Sequence, residues 1–534
     1  MSLYIRLGRM LRRRYPMILR AAAMAVLAIA CSVTAVKTFA EEDVVVSQLW
    51  GVEGELWRPE TRLPDFSFAG YRRGEEPYRI PKESISVKTF GAVGDGVKDD
   101  TESFRRALEA GKGKLILIPQ GRYVLNDLFR IEVSGTVLRG DGPDKTVLEF
   151  RKPGIEIDPR PWRTDDGRST SHWSWAGGLI AVGRDSLNLD QEVRVIGDAL
   201  RGHQRLKPAS MPFRPGDEIV LTLRDDADRS LVKYLYRDQT GDISGLNNLR
   251  VVQVFRVRMV EGDEIVIDRP LRFDVRAPWQ PSIARFTPSV TDVGIENISF
   301  EFPVTRYEGH FREVGYNPVE IARSAAHCWL KNVTIRNADS GPYVFGFFCT
   351  VEGIRLLADE ERLSSRGGYA GHHGISLQGN DCLCKDFAVE TRFIHDLTVQ
   401  SSIGCVFSHG KAVDLSMDHH RRASYENLFT DIDAGRGGRL FASAGGRNRG
   451  NHSAAGATFW NIRSEQSVPW PNWQMDAINI VGVRIAEPLQ VVPRLPDPSN
   501  LKARWLEAVE PERLRPANLY EAMKARHLAR ERTP

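Results

Sequence analysis

Residues 87–119 read VKTFGAVGDGVKDDTESFRRALEAGKGKLILIP. Glycine and aspartate crowd residues 90–96 and supply the positive φ angles and side-chain hydrogen bonds of a tight loop. Residues 99–101 offer three N-cap oxygens, and apolar side chains follow at helical spacing from Phe104. The run 115–118 is wholly apolar and ends at a proline, as in a strand buried on both faces. The sequence here predicts a short strand, a turn, an amphipathic helix and a buried strand.

Several short motifs in and just after these residues form a pattern: FGAVGDG (90–96), DDT (99–101), Phe104, AL (107–108) and IPQGRY (118–123). In this pattern the chain resembles the pectate-lyase/rhamnogalacturonase/epimerase-like superfamily of carbohydrate-active proteins. The resemblance implies a right-handed parallel β-helix in which this piece caps the first coils and lies apart from the active site. The acidic pair at 99–100 is accordingly interpreted as a helix cap and not as a catalytic dyad.

The composition is that of an ordered, soluble chain that is long enough to form a solenoid. It has 534 residues, of which 42% are hydrophobic and 27% are charged. A solenoid grows by adding repeats and so escapes the size limit of a single globular core. The net charge of +4 is small for this length, and the sequence contains no basic helix or known nucleic-acid motif. We therefore expect no nucleic-acid partner.

The first 40 residues have the features of a signal peptide. A basic region precedes residue 15, a short apolar region covers 21–30, and residues 38–40 form a cleavage site. The matches to a twin-arginine signal and to a lipobox at Cys31 are poor, so ordinary export is favoured over a lipoprotein anchor. No later apolar run is long enough to span a bilayer. We expect a secreted or periplasmic protein without a membrane span once the signal is removed.

Five of the six cysteines lie beyond the predicted signal peptide. An odd number leaves at least one free thiol unless two chains are cross-linked. Cys382 and Cys384 alternate as on a strand, and no CxxC pair accompanies them for zinc. We expect buried cysteines stacked in a solenoid core. One disulfide stays open as an alternative, and a metal site on these cysteines is disfavoured.

A repeated element indicates coils in the second half of the chain. An Asn or Asp precedes a short strand-like run at six places, Asn297, Asn332, Asp386, Asp396, Asn427 and Asn461. The intervals are irregular, as expected when loops leave one edge of each coil. The predicted fold class is therefore all-β: a right-handed parallel β-helix with an N-terminal capping helix and a β-rich insertion.

The predicted organisation has six parts. They are a signal peptide (1–40), an extended lead-in (41–85), the N-terminal cap with the first coils (86–185), the β-rich insertion (186–290), the main coils with a candidate groove (291–484), and a Pro-rich linker with a C-terminal capping helix (485–534). Two GDEIV strand starts, at 216–220 and 262–266, mark the insertion because they break the repeat. The lead-in is expected to cover the helix end or to pack along its side.

Ionisable side chains are densest between residues 371 and 433, and seven of the 12 histidines lie between 371 and 452. Loops of successive coils converge on one groove of a β-helix, so groups on adjacent coils can share a site there. We predict the catalytic residues His372, His373, Lys411, Asp418, His419, His420 and Arg421. The predicted substrate-binding residues are Gln378, Arg422, Arg436, Arg439 and Trp460. The candidate ligands for Ca²⁺, the one cofactor considered, are Asp381 and Asp414.

The favoured reaction is β-elimination on a polysaccharide that contains uronic acid. This reaction needs a base for the α-proton, a cation beside the sugar carboxylate and an acid for the leaving oxygen. The histidines, Lys411 and the arginines at 421 and 422 supply those groups, and an arginine-rich groove would attract a polyanion. The sequence thus favours a secreted lyase whose partner is an acidic polysaccharide. It leaves open the sugar, the linkage and the oligomeric state.

Two alternatives stay open. Hydrolysis would use two carboxylates, one as acid and one as base. Residues 371–374, GHHG, are similar to the Gly-His-Gly element of polygalacturonase-type hydrolases. The Asn-Thr-Asp, Asp-Asp and Arg-Ile-Lys elements of those enzymes, however, have no counterparts nearby. The second alternative is a non-catalytic β-helical surface protein that binds carbohydrate.

Overall fold

The computed structural model describes residues 44–164, 167–187, 189, 191–486 and 495–532. The predicted signal peptide, with Cys31, lies outside these residues, and so does part of the predicted Pro-rich linker, 487–494. Within the described ranges, no helix is both long enough and apolar enough to cross a membrane.

The larger of two parallel sheets, called sheet A here, has 15 strands. Neighbouring strands pair in parallel and in register, for example Trp329 with Thr350 and Leu383 with Val406. The strands of sheet A are Ser84–Ser86, Asp95–Asp99, Leu115–Ile118, Gly121–Leu125, Val137–Gly140, Thr146–Phe150, Gly294–Glu301, Trp329–Arg336, Thr350–Leu357, Leu383–Val389, Val406–Ala412, Leu428–Asp433, Thr458–Arg463, Asn479–Val483 and Trp505–Glu507. Parallel pairing between strands one coil apart is the pattern expected of a β-helix.

The second parallel sheet, sheet B, has seven strands. They are Phe129–Ile131, Ile180–Val182, Val319–Ile321, Tyr343–Val344, Gly371–Leu377, Phe393–Val399 and Met417–His419. A narrower third ladder begins with Val290–Thr291 and Ala325–Ala326 and continues as single parallel bridges through Phe347, Asn380, Ile403 and Tyr425. From Asn380 to Tyr425 this ladder advances by 23 and then 22 residues per coil. The predicted fold class is confirmed.

Most of the repeated Asn and Asp positions lie inside the strands of sheet A and not in front of them. Asn297, Asn332, Asp386 and Asn461 occupy one column of the sheet, and each has φ between 51° and 59°. This left-handed conformation favours Asn, Asp and Gly, so the column explains the repeat. Asp396 and Asn427 belong to other columns, because Asp396 is in sheet B and Asn427 precedes a strand.

The core between the sheets contains a ladder of cysteines. Cys328, Cys349, Cys382 and Cys405 each precede a strand of sheet A by one residue, and all are buried and free. Cys384 is also buried and free. Among the described residues the expected stack of buried thiols is therefore present, without a disulfide.

The N-terminal cap follows the predicted order of elements. The helix is Thr101–Ala110. Asp99 accepts a hydrogen bond from the backbone N–H of Thr101, at 2.9 Å. Asp100 instead accepts from the N–H groups of Val93 and Gly94, at 2.7 and 2.8 Å, and holds the glycine loop closed. Both carboxylates are structural.

The insertion forms an antiparallel sheet of six strands. Its strands are Val193–Arg194, Arg205–Leu206, Glu218–Arg224, Arg250–Glu261, Glu264–Ile267 and Ser282–Arg285, with a helix at Ser230–Leu235. Buried ion pairs hold this sheet to the coils. Arg269 and Arg272 each bind Asp381 at 2.8 Å, while Arg201 binds Glu426 at 2.9 Å.

The C-terminal helix, Leu519–Arg532, lies against the outer face of sheet A and does not cap the far end. Its residues Leu519, Tyr520 and Met523 share an apolar cluster with Trp460 and with the tryptophans of the lead-in. The lead-in thus packs along the side of the β-helix. The expected C-terminal cap is wrong, because the helix buries its apolar residues against the outer face of sheet A.

The remaining elements are short. The other strands are Val45–Val46, Pro161–Arg163, Ser169–Ser171 and Leu514–Arg515. The other helical turns are Tyr71–Gly74, Val87–Phe90, Gly154–Ile157, His172–Ser174, Ala277–Trp279, Glu360–Arg362 and Pro511–Arg513. Of these, the hairpin Pro161–Ser171 and the turn after it flank the candidate site.

Candidate active site

Five imidazoles and one carboxylate converge at the end of sheet B. This histidine cluster consists of His310, His372, His373, His395, Asp418 and His420. Strand Gly371–Leu377 carries two of them, and the register pairs His373 directly with His395 on the next coil. One further coil brings Asp418 and His420, whereas His310 comes from the loop before strand Val319–Ile321. The parallel ladder therefore stacks the cluster from separate coils.

The rings lie within contact of one another. Ring centroids are 4.1 Å apart for His372 and His373, 5.0 Å for His373 and His395, and 5.3 Å for His395 and His420. His310 lies over His372, at 4.4 Å. His310 is exposed and His420 is half-buried, whereas the other three imidazoles are buried. The cluster is thus a buried core with two openings to solvent.

The Nδ1 atom of each imidazole on sheet B has a fixed polar neighbour. His372 Nδ1 lies 2.6 Å from the carbonyl oxygen of Ser174, and His373 Nδ1 lies 3.0 Å from Oγ1 of Thr398. Asp418 Oδ2 lies 2.6 Å from Nδ1 of His420 and 3.3 Å from Nδ1 of His395. A carbonyl or carboxylate at Nδ1 keeps the proton there and leaves Nε2 as the basic atom. The Nε2 atoms of His372 and His395 are buried and have no hydrogen-bond partner.

Burial keeps the inner imidazoles uncharged. It lowers the pKa values of His372 and His373 well below the usual range, and the neighbouring imidazoles lower them further. Burial likewise lowers the pKa of His395 to about 4. Burial alone would raise the pKa of Asp418, but His395 and His420 outweigh it and hold that pKa well below the usual range. At neutral pH the three inner imidazoles are therefore neutral, and the nearby carboxyl of Asp418 is ionised.

A carboxyl with a raised pKa lies next to the cluster. Burial raises the pKa of Glu313 to about 7. Its Oε1 accepts a hydrogen bond from the Tyr307 hydroxyl at 2.5 Å and lies 3.5 Å from Nδ1 of His372. Glu313 is therefore partly protonated at neutral pH, beside His372.

An aromatic patch leads from the surface to the cluster. It consists of Trp162, His172, Trp175 and Phe311. Trp162 is 51% exposed, and its ring lies 4.8 Å from His172 and 6.4 Å from Trp175. Trp175 lies 6.0 Å from Phe311, which in turn lies 6.0 Å from His372. Exposed rings of this kind offer a flat amphipathic surface beside the site.

The structure brings together four of the seven predicted catalytic residues, His372, His373, Asp418 and His420. Lys411 lies apart, exposed on sheet A. His419 points the other way, into the core, where it packs against Phe429 and Trp473. Arg421 donates hydrogen bonds to the carbonyl oxygen of Gly450 and to His452. We no longer assign Lys411 or His419 to the site.

The predicted substrate-binding residues are dispersed. Trp460 is fully buried and donates a hydrogen bond to the carbonyl oxygen of Pro516, so it cannot stack on a sugar. Arg439 is turned inward and binds the carboxylate of Asp396. Gln378 follows a sheet B strand, Arg422 adjoins Arg421, and Arg436 is exposed after sheet A.

The two predicted calcium ligands are already occupied by cations of the chain. Both oxygens of Asp381 bind arginines of the insertion. Asp414 lies 3.6 Å from Arg392 and 3.8 Å from Arg439. An arginine at each carboxylate opposes a second cation there, so the calcium assignment is withdrawn for both.

Four residues of the site were missed: Tyr307, His310, Glu313 and His395. The sequence could have predicted His395, because it follows His373 by 22 residues, the length of one coil, and so lies beside it on the next coil. The other three lie on a loop whose path no repeat indicates. Two groups of these side chains could hold a metal ion: His310, His372 and His395, or His395, Asp418 and His420.

Comparisons with known proteins agree with the N-terminal pattern. Residues 84–157 match the profile of the "rhamnogalacturonase A/epimerase, pectate lyase-like" family. The pre-neck appendage protein of Bacillus phage B103 is 42% identical over 66 residues, which are 12% of this chain and 7% of that protein. A polygalacturonase of Persea americana is 30% identical over 108 residues, which are 18% of this chain and 23% of that protein. The chain thus spans less than a quarter of either relative.

A solved structure that resembles the chain is the Gp54 tailspike of Acinetobacter baumannii bacteriophage AP22, in complex with A. baumannii capsular saccharide. It shares 10% sequence identity, with a TM-score of 0.43, over 75% of this chain and 57% of the tailspike. The resemblance to the pectate-lyase/rhamnogalacturonase/epimerase-like superfamily is confirmed by the family match at residues 84–157.

Proposed function

We propose that the protein is a polysaccharide lyase that cleaves a uronic-acid-containing polymer by β-elimination at the histidine cluster. One observation carries this proposal. His420 is the half-buried imidazole at the edge of the cluster, and its Nδ1 lies 2.6 Å from the buried carboxylate of Asp418. This arrangement presents Nε2 of His420 as a general base.

In the proposed reaction the side chains of the histidine cluster act as follows. Nε2 of His420 takes the proton at C5 of the uronic acid, next to the carboxylate. The electrons of the broken C–H bond form the C4–C5 double bond, and the bond from C4 to the glycosidic oxygen breaks. That oxygen takes a proton from the imidazolium of His420, directly or through the ring of His373, whose centroid lies 5.8 Å away, and His420 becomes neutral again.

The surroundings suit a charged sugar chain. Trp162 and Trp175 of the aromatic patch offer rings for stacking. Arg168 lies 4.8 Å above the ring of Phe311, on the path from the patch to the cluster. Arg421 follows His420 directly. Both arginines would attract a polyanion and favour an acidic polysaccharide.

Hydrolysis fits these positions less well. It needs an acidic carboxyl and a second carboxylate that is free to activate water. Glu313 suits the first role, but Asp418 is fully buried and shared by His395 and His420. A binding protein without catalysis would not need an oriented histidine–aspartate pair. The experiment described next distinguishes β-elimination from hydrolysis and from carbohydrate binding without catalysis.

The test is ultraviolet absorbance of the unsaturated uronide while the purified protein acts on a panel of acidic polysaccharides. A rise on one polymer that His420→Gln lowers by about 100-fold or more supports the proposal. The matched control is His409→Gln, an exposed histidine on sheet A that bonds Asp431. If new reducing ends form without an increase in ultraviolet absorbance, the reaction is hydrolysis and the lyase proposal is wrong. Binding without either product would replace it by a binding function.

A further inference from the structure

We propose that the histidine cluster binds one divalent transition-metal ion of the zinc type through ring nitrogens of His310, His372 and His395. The inference adds a ligand to the site of the proposed function. It rests on that function only for the role of the ion, and metal binding itself can be measured without any substrate.

The distances suit a metal ion. One ligand atom from each of these three histidines lies within 4.8 Å of the other two. Tetrahedral zinc with bonds of 2.0–2.1 Å places its nitrogen ligands about 3.4 Å apart. Small rotations of the rings therefore close the site around an ion. His310 is exposed on a loop, whereas His372 and His395 are buried on strands.

The hydrogen bonding is of the kind that metal-bound histidines need. The Nε2 atoms of His372 and His395 are buried without a hydrogen-bond partner, which is costly for a polar atom. Their Nδ1 atoms face the carbonyl oxygen of Ser174 and the carboxylate of Asp418. A carbonyl or carboxylate behind each imidazole orients histidine ligands in metal sites. An ion would satisfy both orphaned nitrogens at once.

The donor set selects the kind of ion. Three imidazoles with one buried carboxylate behind them suit zinc and its neighbours, whereas calcium requires six to eight oxygen ligands.

The ion would also complete the proposed reaction. With three protein ligands a zinc-type ion would keep one position open to a further ligand, and His310, one of the three, is exposed to solvent. A sugar carboxylate at that position would be neutralised, as proton abstraction beside it requires. His373 and His420 remain outside this ligand set and keep the roles given above.

Metal binding is tested on tag-free, metal-depleted full-length protein. Titration with Co²⁺, followed by visible absorbance, and with Zn²⁺, followed by calorimetry, should each give one ion per chain. His372→Gln and His395→Gln should each weaken binding at least 100-fold, while His409→Gln should bind as the parent protein does. Ca²⁺ should produce no binding heat.

The proposal is overturned if the parent protein binds no stoichiometric Co²⁺ or Zn²⁺. It is equally overturned if both glutamine variants fold, as shown by circular dichroism, and bind the ions unchanged. Failure of the lyase proposal gives a different result, because the ion then binds and no polymer yields unsaturated product. If the protein still forms the unsaturated product after a chelator has removed its metal, the lyase proposal stands and the ion has no role in the reaction.

Discussion

Asp418 Oδ2 lies 2.6 Å from Nδ1 of His420. The same oxygen lies 3.3 Å from Nδ1 of His395, and the other oxygen accepts a hydrogen bond from the backbone N–H of Ala444 at 2.8 Å. The side chain of Asp418 is fully buried. One carboxylate therefore orients two imidazoles on neighbouring coils through their Nδ1 atoms.

Replacing Asp418 by asparagine should remove activity while binding persists. An amide carries no charge to stabilise the imidazolium that forms on His420, and it can present an N–H to Nδ1 in place of an acceptor. We expect kcat to fall about 100- to 10,000-fold, with KM changed little. Initial rates on the preferred polymer measure both constants.

The matched control for Asp418→Asn is Asp431→Asn. Asp431 lies 2.9 Å from Nδ1 of His409, so it forms the same kind of pair on sheet A, away from the cluster. It should keep the parent kcat. A kcat for Asp418→Asn within about threefold of the parent value would remove the histidine–aspartate pair from the mechanism.

Stability should decrease as the pH falls from about 6.5 to 5. Burial lowers the pKa of His395 to about 4 and also lowers those of His372 and His373, whereas an unfolded histidine titrates near 6.5. Between these values the unfolded chain binds more protons than the folded chain, so the free energy of unfolding rises with pH. Glu313, whose pKa burial raises to about 7, acts in the opposite direction between its usual value and 7. Within the histidine cluster, three histidines outweigh one carboxyl.

Urea unfolding at several pH values measures this dependence. Each histidine contributes up to about 1.4 kcal/mol per pH unit, so His395→Asn should reduce the slope by up to that amount. Equal slopes in the parent and His395→Asn would show that His395 titrates normally in the folded protein.

Much of the fold follows from local sequence, because glycine loops and left-handed Asn or Asp positions are properties of single residues. Asn297 and Asn332 predicted a repeat for this reason, although their place inside the strands depends on the pairing of whole coils. The sequence predicts His372 and His373 as site residues because many other ionisable residues lie near them in the chain.

The rest of the site depends on tertiary structure. His419 and His420 are neighbours in sequence, yet His419 enters the core and His420 joins the cluster. His420 lies just past the end of strand Met417–His419, so one residue of sequence separates the two roles. His310 arrives on a loop without periodicity, which no local pattern predicts.

Asp381 should matter for stability and not for metal binding. Asp381→Ala leaves Arg269 and Arg272 buried without the carboxylate that each of them contacts at 2.8 Å. Removing one partner of a buried ion pair costs about 3–5 kcal/mol, and added Ca²⁺ should not restore the loss. Urea unfolding at pH 7 measures the free energy of unfolding.

Glu390→Ala is the control for Asp381→Ala. Glu390 pairs with Arg355 at 3.0 Å on the surface, where an ion pair contributes about 1 kcal/mol or less. If Asp381→Ala costs no more than Glu390→Ala, the buried ion pairs do not anchor the insertion to the coils.

Trp162 should bind the sugar chain before the chemistry occurs. Its ring is 51% exposed and begins the aromatic patch that leads through Trp175 and Phe311 to His372. Stacking on a sugar remote from the broken bond stabilises the bound substrate and the transition state equally. Trp162→Ala should therefore raise KM about 5- to 10-fold and leave kcat nearly unchanged, a loss of about 1 kcal/mol of binding energy.

The control for this change is Trp470→Ala, because Trp470 stacks under Arg504, at 4.2 Å, and belongs to no part of the patch. Initial rates over a range of polymer concentrations separate KM from kcat for both variants. A KM for Trp162→Ala equal to that of the parent would mean that the polymer approaches the histidine cluster from another side. A fall in kcat alone would mean that Trp162 positions the reacting sugar itself, since only an interaction made in the transition state changes kcat without KM.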